Sequence, residues 1–270
     1  MTDAGPRAVR LTDLAAITFD FGNTLVRVDR AGLRQVVELT ASEVCAMAGI
    51  DDVARFLAAW AQERERQFRE DVPRFREVDL GQRVVRVIAR CRGMPPPPPD
   101  IPWDDEAAAR RSTADEVAFA VDVYSRAFVA GLPPSPSAGP LLGRLRAHGL
   151  RLAILSNWPL AATIDRYAEA AGWTPLLDAI VVSQRVGTIK PHPAMFAAAA
   201  AALGDPPASR TLHVGDDWTA DIEGAKGVGW LAAYLHGGPD DSPLPSSRRR
   251  DGVQPDLELR ALDELEARLG

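Results

Sequence analysis

Four short runs in this 270-residue chain lead to side chains able to do chemistry. Ala15 to Phe19 ends in Asp20, Arg151 to Leu155 in Ser156, and Thr211 to Val214 in Asp216 and Asp217 after Gly215, while Lys190 follows the run Ala179 to Ser183. A carboxylate, a hydroxyl, an ammonium and further carboxylates suit phosphoryl transfer, with Asp20 attacking phosphorus to form an acyl phosphate that water then cleaves. An anion attacking an anion calls for a hard cation. Mg²⁺ takes few carboxylates together with waters and phosphate oxygen, and Asp20 with Asp216 is such a ligand set. Ser156 Oγ and the backbone N–H of Asn157, at a helix start, suit the other phosphoryl oxygens. Lys190 adds positive charge. Asp221, one helical turn beyond Asp217, is placed to orient Lys190 or a metal-bound water.

These groups converge only if their carriers form one sheet. Beyond Pro133 the pattern alternates: helix 139–148, strand 151–155, helix 160–171, strand 179–183, helix 193–203, strand 211–214, helix 220–228 and strand 230–235. Alternation of this kind predicts a parallel sheet covered by helices on both faces, a three-layer α/β, Rossmann-like core. Pro255 to Leu259 reads as one more short strand, followed by a helix with Leu262, Leu265 and Leu269 on its apolar stripe. The strand ending at Phe19 must join this sheet. Between them, stretches 31–48, 51–71, 77–92 and 113–130 carry apolar residues at helical spacing, such as Val53, Phe56, Leu57 and Trp60, with no strand between. The expected division is therefore a core of residues 1–25 and 133–270, interrupted by an all-α block over 26–132. Ligands of such sheets bind beyond the carboxyl ends of the strands, where the strand order reverses.

Composition narrows the partners. Hydrophobic residues make up 46% and charged residues 25%, as in ordinary globular chains. A net charge of -6 and a pI near 5.3 argue against a general nucleic-acid or anionic-membrane surface, leaving a small molecule as the expected partner. Cys45 and Cys91 form neither a disulfide framework nor a zinc motif. With no signal-like N-terminus and no run of roughly 20 apolar residues, a cytoplasmic monomer or homodimer is expected.

Other conspicuous residues have plainer readings. His213 sits in an apolar strand and reads as a hydrogen-bonded core histidine, and His192 as a helix-start residue. Trp60, Arg64, Phe68, Trp103 and Arg126 read as packing or surface residues of the helical block. Pro95 to Pro99 reads as a rigid connector, and 237–254, with its arginines 248–250, as a mobile surface loop.

The motifs Phe19-Asp20-Phe21-Gly22-Asn23-Thr24-Leu25, Leu155-Ser156-Asn157, Gly187-Thr188-Ile189-Lys190-Pro191 and His213-Val214-Gly215-Asp216-Asp217 with Asp221 resemble, in this order, the four motifs of the haloacid dehalogenase-like hydrolase superfamily. The helical insertion after the first motif resembles the branch that carries its cap there. The resemblance implies an aspartyl-phosphate mechanism, Mg²⁺ held by Asp20, the Gly22 carbonyl and Asp216, a cap that closes over a small phosphorylated metabolite, and supporting roles for Thr24, Asp217 and Asp221. Family phosphatases usually carry a second aspartate as general acid and base at the position of Gly22; Asn23 and Asp217 are the nearby candidates for that role. Two further readings stay open on the sequence: a metal-independent haloacid dehalogenase, and a catalytically weak binding or regulatory module.

Overall fold

A computed structural model describes residues 9–97, 110–238, 242–247 and 249–270. Its sheet has six parallel strands in the order β3-β2-β1-β4-β5-β6, with β1 at Ala16–Phe19, β2 at Arg151–Ser156, β3 at Ala179–Val182, β4 at Thr211–Gly215, β5 at Leu231–Leu235 and β6 at Leu257–Leu259. The central strands are buried on both faces, as continuous apolar runs such as Ala16–Phe19 require. The chain winds one way through β1, β2 and β3 and the other way through β4, β5 and β6, so the order reverses between β1 and β4. There Phe19 pairs in register with Val214 and Ile154, which brings Asp20, Asp216 and Ser156 to one edge.

Helices α1 (Arg30–Ala48), α2 (Val53–Glu70), α3 (Leu80–Cys91) and α4 (Ala114–Gly131) fill the interval between β1 and β2, ahead of α5 (Ala138–Ala147). Later come α6 (Ala161–Ala170) and α7 (Pro193–Ala202). The starts are sharper than apolar periodicity alone predicts, because side chains cap them. Asp29, Asp52 and Asp79 each accept from a backbone N–H of the first turn, and Thr113 with Glu116 forms a capping box. Asp79 thus begins α3 three residues later than its apolar pattern suggests. Trp218–Glu223 winds as a π-helix, so that helix starts two residues earlier than expected.

The helical block and the sheet share one hydrophobic core. An aromatic ladder crosses between them: Trp60 stacks on Phe56 and Tyr124, Tyr124 on Phe128, and Phe128 on Phe21, the residue after Asp20, with centroids 6.0 to 6.3 Å apart. Phe21 in turn meets Trp158 and Tyr167 edge-on, at 5.7 and 5.2 Å. The two chain crossings lie side by side, Ser135 N donating to Leu25 O at 2.9 Å and Tyr167 Oη to Leu132 O at 2.6 Å. On the opposite flank the α2–α3 connection docks on the core, Phe75 O accepting from Thr188 Oγ1 and Ile189 N at 2.7 and 3.2 Å. Of the proline run, Pro98 and Pro99 lie outside the described residues, as does Trp103. Pro95 O accepts from Arg111 and Pro97 O from Arg86, tying the described part down as a connector.

One buried charge organises the block. Glu63 of α2 is fully buried and accepts from Arg66, Arg86 and Arg90. Burial alone would raise its pKa, but the hydrogen bonds from Arg86, Arg66 and Arg90 outweigh it and hold the carboxyl at about 2, below the usual 4.5. A carboxyl so depressed stabilises the fold fully above pH 4.5, and the contribution disappears as pH falls toward 2. Removing one member of a buried charge network leaves the others uncompensated, so Glu63→Ala should cost about 3–5 kcal/mol. Thermal melts at pH 7 should show the loss, and the gap between wild type and variant should narrow between pH 4.5 and pH 2.

Candidate active site

Asp20 leaves β1 with its N–H on Val214 O at 2.8 Å, continuing the ladder, and the chain then turns tightly, Leu25 and Val26 both donating to Phe21 O at 3.0 Å. Asn23 takes the left-handed conformation within that turn, at φ 59°. Beside Asp20, Lys190 is 2% exposed and its Nζ uses all three protons, on Asp20 Oδ1 at 2.8 Å, Asp221 Oδ1 at 2.7 Å and Leu155 O at 2.7 Å. Burial disfavours the ammonium, yet the two carboxylates outweigh it and raise its pKa. Lys190 is thus a fixed cation addressed to the nucleophile candidate. Asn157 places it, accepting from Lys190 N at 2.7 Å and donating to Lys190 O at 3.0 Å.

Asp221 accepts three hydrogen bonds. Besides Lys190, Oδ1 takes His213 Nε2 at 3.0 Å and Oδ2 takes Asp217 N at 2.9 Å. His213 is fully buried and its pKa lowered by desolvation, so the ring is neutral. Because a carboxylate only accepts, Nε2 carries the proton and Nδ1 accepts from Thr18 Oγ1 at 2.8 Å. A Cβ on Gly215 would lie 2.2 Å from Asp221 Oδ2, so only glycine lets this carboxylate reach its place. Asp221 therefore supports Lys190 from below. Burial would raise its carboxyl, but Lys190 and His213 keep it below the ordinary aspartate value.

Asp216 presents the opposite case, accepting no hydrogen bond among the described residues. Burial and the neighbouring charges of Asp20, Asp221 and Asp217 raise its pKa well above the ordinary value. Asp20 is raised to about 6, by burial above all, against the pull of Lys190 and with Asp221 adding to the rise. Asp20, Asp216 and Asp221 each offer an oxygen within 4.8 Å of the others. Two crowded carboxylates short of positive charge, one without a donor, fit a hard divalent cation by their donor chemistry. Ser156 Oγ is buried, and Ser156 lines the same cavity with no hydrogen-bond partner for that oxygen among the described residues. Thr24 Oγ1 is likewise buried without a partner.

A cavity of about 440 Å³ lies over these groups. Its far wall is helical: Trp60, Arg64 and Phe68 of α2, Arg83 of α3 and Tyr124 of α4. Trp60, Arg64 and Phe68, which read as packing or surface residues in the sequence, therefore face the reaction centre. Helical spacing reveals which residues share a face but not that the sheet edge lies opposite. Arg126 is a surface residue, paired with Asp122 and Glu43. His192 caps α7, accepting from Ala194 N at 3.2 Å.

The third wall corrects the surface-loop reading of 237–254. Residues 242–247 lie across the site, because polar groups there have partners only the site supplies. Ser247 donates through N and Oγ to Asp217, both at 2.7 Å, Ser242 Oγ accepts from Asn23 at 3.0 Å, and Pro243 O accepts from Arg64. Asp217 also caps the following helix through Ala220 N at 2.7 Å, so its carboxylate is engaged throughout as an anchor. Asn23 is similarly occupied, its Oδ1 accepting from Val28 N at 3.2 Å. Arg249, next along, pairs with Glu258 and covers Trp218; Arg248 lies outside the described residues. From this strap Leu244 reaches Gly22: a Cβ there would meet Leu244 Cδ1 at 2.6 Å. Apolar side chain fills the space that a longer residue at position 22 would need.

Known proteins share this frame. A family model described as haloacid dehalogenase-like hydrolase matches residues 14–229. The ribulose-1,5-bisphosphate 5-phosphatase of Halopiger xanaduensis is 34% identical over 53% of this chain and 60% of its own length, and the pyrimidine 5'-nucleotidase YjjG of Escherichia coli is 30% identical over 49% and 55%. The chain thus spans less than two thirds of these two relatives. The phosphoglycolate phosphatase of Shigella boydii is 26% identical over 97% of the chain and 94% of its own. Among solved structures, the 2-haloacid dehalogenase of Pseudomonas syringae pv. Tomato superposes with a TM-score of 0.62 over 95% of this chain and 98% of its own, at 20% identity. The magnesium-bound HAD-hydrolase YfnB of Bacillus subtilis does so at 0.59 over 98% and 100%, also at 20% identity. The sheet order, the three motif-bearing strand ends with the Lys190 loop beside them and the match over 14–229 agree: this chain belongs to the haloacid dehalogenase-like hydrolases.

Proposed function

We propose that the protein is a phosphatase of small phosphorylated metabolites that works through an aspartyl-phosphate on Asp20 and requires Mg²⁺. The observation that carries this reading is the pairing of a nucleophile-grade carboxylate held by buried Lys190 with a second, donor-free carboxylate, Asp216, beside it. Ser156 Oγ, buried and without a partner, and the Asn157 N–H receive phosphoryl oxygens. The Asp20 carboxylate attacks phosphorus, the P–O bond to the leaving group breaks, and water then attacks the acyl phosphate to release inorganic phosphate and restore Asp20. Held by Asp20, Asp216 and the Gly22 carbonyl, Mg²⁺ supplies positive charge against anion–anion repulsion. Lys190 holds Asp20 ionised and oriented, and Asp221 and Asn157 hold Lys190. Thr24 and Asp217 support the turn and the strap. Residues 26–132 act as a cap that closes the cavity over substrate, on a core of 1–25 and 133–270. Metal-free halide displacement is the weaker reading, because Asp216 sets a second carboxylate beside the nucleophile.

Asp20→Asn should lower phosphate release by at least about 10³-fold. Chelation of divalent ions should abolish release by the wild type and added Mg²⁺ should restore it; turnover that survives both treatments would contradict the assignment. With Gly22 in the acid's position and both Asn23 and Asp217 engaged, the rate should depend steeply on leaving-group pKa, aryl phosphates reacting well ahead of alkyl phosphates. Gly22→Asp alone should gain little, because Leu244 stands in the way. Combined with Leu244→Ala it should raise alkyl phosphate turnover by about 10²-fold and flatten the leaving-group dependence.

A further inference from the structure

Two arginines in the cavity make no ion pair among the described residues. Arg83 is only 8% exposed, yet its Nε and Nη2 both donate to the neutral Gln67 Oε1, at 2.9 and 2.7 Å, and Nη1 has no acceptor among the described residues. Burial draws its pKa down to about 10. Arg64 is half-buried and gives Nη2 to the Pro243 carbonyl, with no acceptor for Nε or Nη1 among the described residues. Other guanidiniums of the same region are matched: Arg66, Arg86 and Arg90 with Glu63, and Arg76 with Asp71. A guanidinium withdrawn from water without a carboxylate is costly unless something anionic arrives to meet it.

Glu77 is near enough to Arg83 for each to feel the other's charge, but the two make no ion pair. It lines the same cavity, but its carboxyl accepts from its neighbour Val78 N at 2.6 Å and from Ser183 Oγ, not from Arg83. Burial raises it to about 7, so near neutral pH it carries only part of a negative charge. Nor do the aromatic walls offer a stacking slot. Arg83 covers Trp60 at 5.3 Å and Arg64 covers Phe68 at 4.7 Å, and Trp60 is already stacked between Phe56 and Tyr124. The guanidiniums are the charged groups that α2 and α3 bring to this wall.

We propose that Arg64 and Arg83 form a second anion subsite, so that the substrate is a phosphomonoester whose leaving group ends in another anionic group, a carboxylate or a second phosphate. This rests on the phosphatase reading of Asp20. The two anions lie at opposite ends of one small molecule, the phosphoryl at the sheet edge and the second group on the α2 and α3 wall. A cavity of about 440 Å³ suits a molecule of that kind. Guanidinium forks bind carboxylate and phosphate in two-point contacts that a hydroxyl does not reproduce.

Matched pairs test the subsite: 3-phosphoglycerate against glycerol 3-phosphate for the carboxylate, and propane-1,3-diol bisphosphate against 3-hydroxypropyl phosphate for the second phosphate. In the full-length wild type with Mg²⁺, at least one doubly anionic member should exceed its partner in kcat/KM by about tenfold or more, mainly through KM. Arg83→Met and Arg64→Met should each shrink that ratio toward one, and Arg83→Lys should restore part of it. Calorimetric binding of the same four compounds to Asp20→Asn protein should show the same preference and the same loss when either arginine change is added. Equal handling of both pairs by wild type, or a preference that survives both arginine changes, overturns the subsite while leaving the phosphatase reading intact. A preference in binding without any phosphate release by wild type supports the subsite and overturns the phosphatase reading instead.

Discussion

The site depends on a single buried ammonium. Lys190 sits among Asp20, Asp221 and the Leu155 carbonyl with every proton used, and each of those partners comes from a different part of the chain. Without that charge, Asp20 and Asp221 would be left facing each other in a largely buried space, where unpaired ions are expensive. The charge also explains the residues behind it: Asn157 grips the Lys190 backbone, His213 and Asp217 N steady Asp221, and Gly215 leaves room for the Asp221 carboxylate. The sheet supplies the rest. Because β1 and β4 are neighbours at the reversal of strand order, Asp20 and Asp216 meet without any long side chain having to reach.

Charge is handled differently on the two sides of the cavity. On the sheet side, acids outnumber the lysine, and Asp20 and Asp216 are pushed toward protonation. On the helical side the imbalance is reversed, with Arg64 and Arg83 in no ion pair among the described residues and the single charge of Glu63 shared by three other arginines. The division suits a small anion of two charged ends, met by a cation at one end and by guanidiniums at the other. Between them stand apolar groups, Leu244 and Trp158 beside Gly22 among them.

The sheet-side half of this site was legible in the sequence because it obeys local rules. Asp20, Ser156 and Asp216 each terminate an apolar strand-like run, and parallel βα alternation forces such ends to one edge. Lys190 was legible only through the order of motifs, since nothing local distinguishes it from a solvated lysine. The helical half was not legible. Trp60, Arg64 and Phe68 occupy helix positions that period alone reads as packing or surface, and only tertiary placement turns them toward Asp20. The strap was hidden for a related reason. Residues 242–247 are proline- and serine-rich, which in isolation signals a solvated loop, and their partners Asp217, Asn23 and Arg64 lie up to 219 positions away.

That strap has a bearing on inheritance. The family match ends at residue 229, before Leu244 and the serines that tie it to Asp217 and Asn23. The matched segment holds Asp20, Ser156, Lys190 and Asp216, while Leu244, which shapes the space above Gly22, lies beyond it. A change at Leu244 would reshape the space above Gly22 and leave the contact of Lys190 with Asp20 as it is. Names borrowed from relatives across the shared region describe the bond that breaks more faithfully than the molecule that carries it.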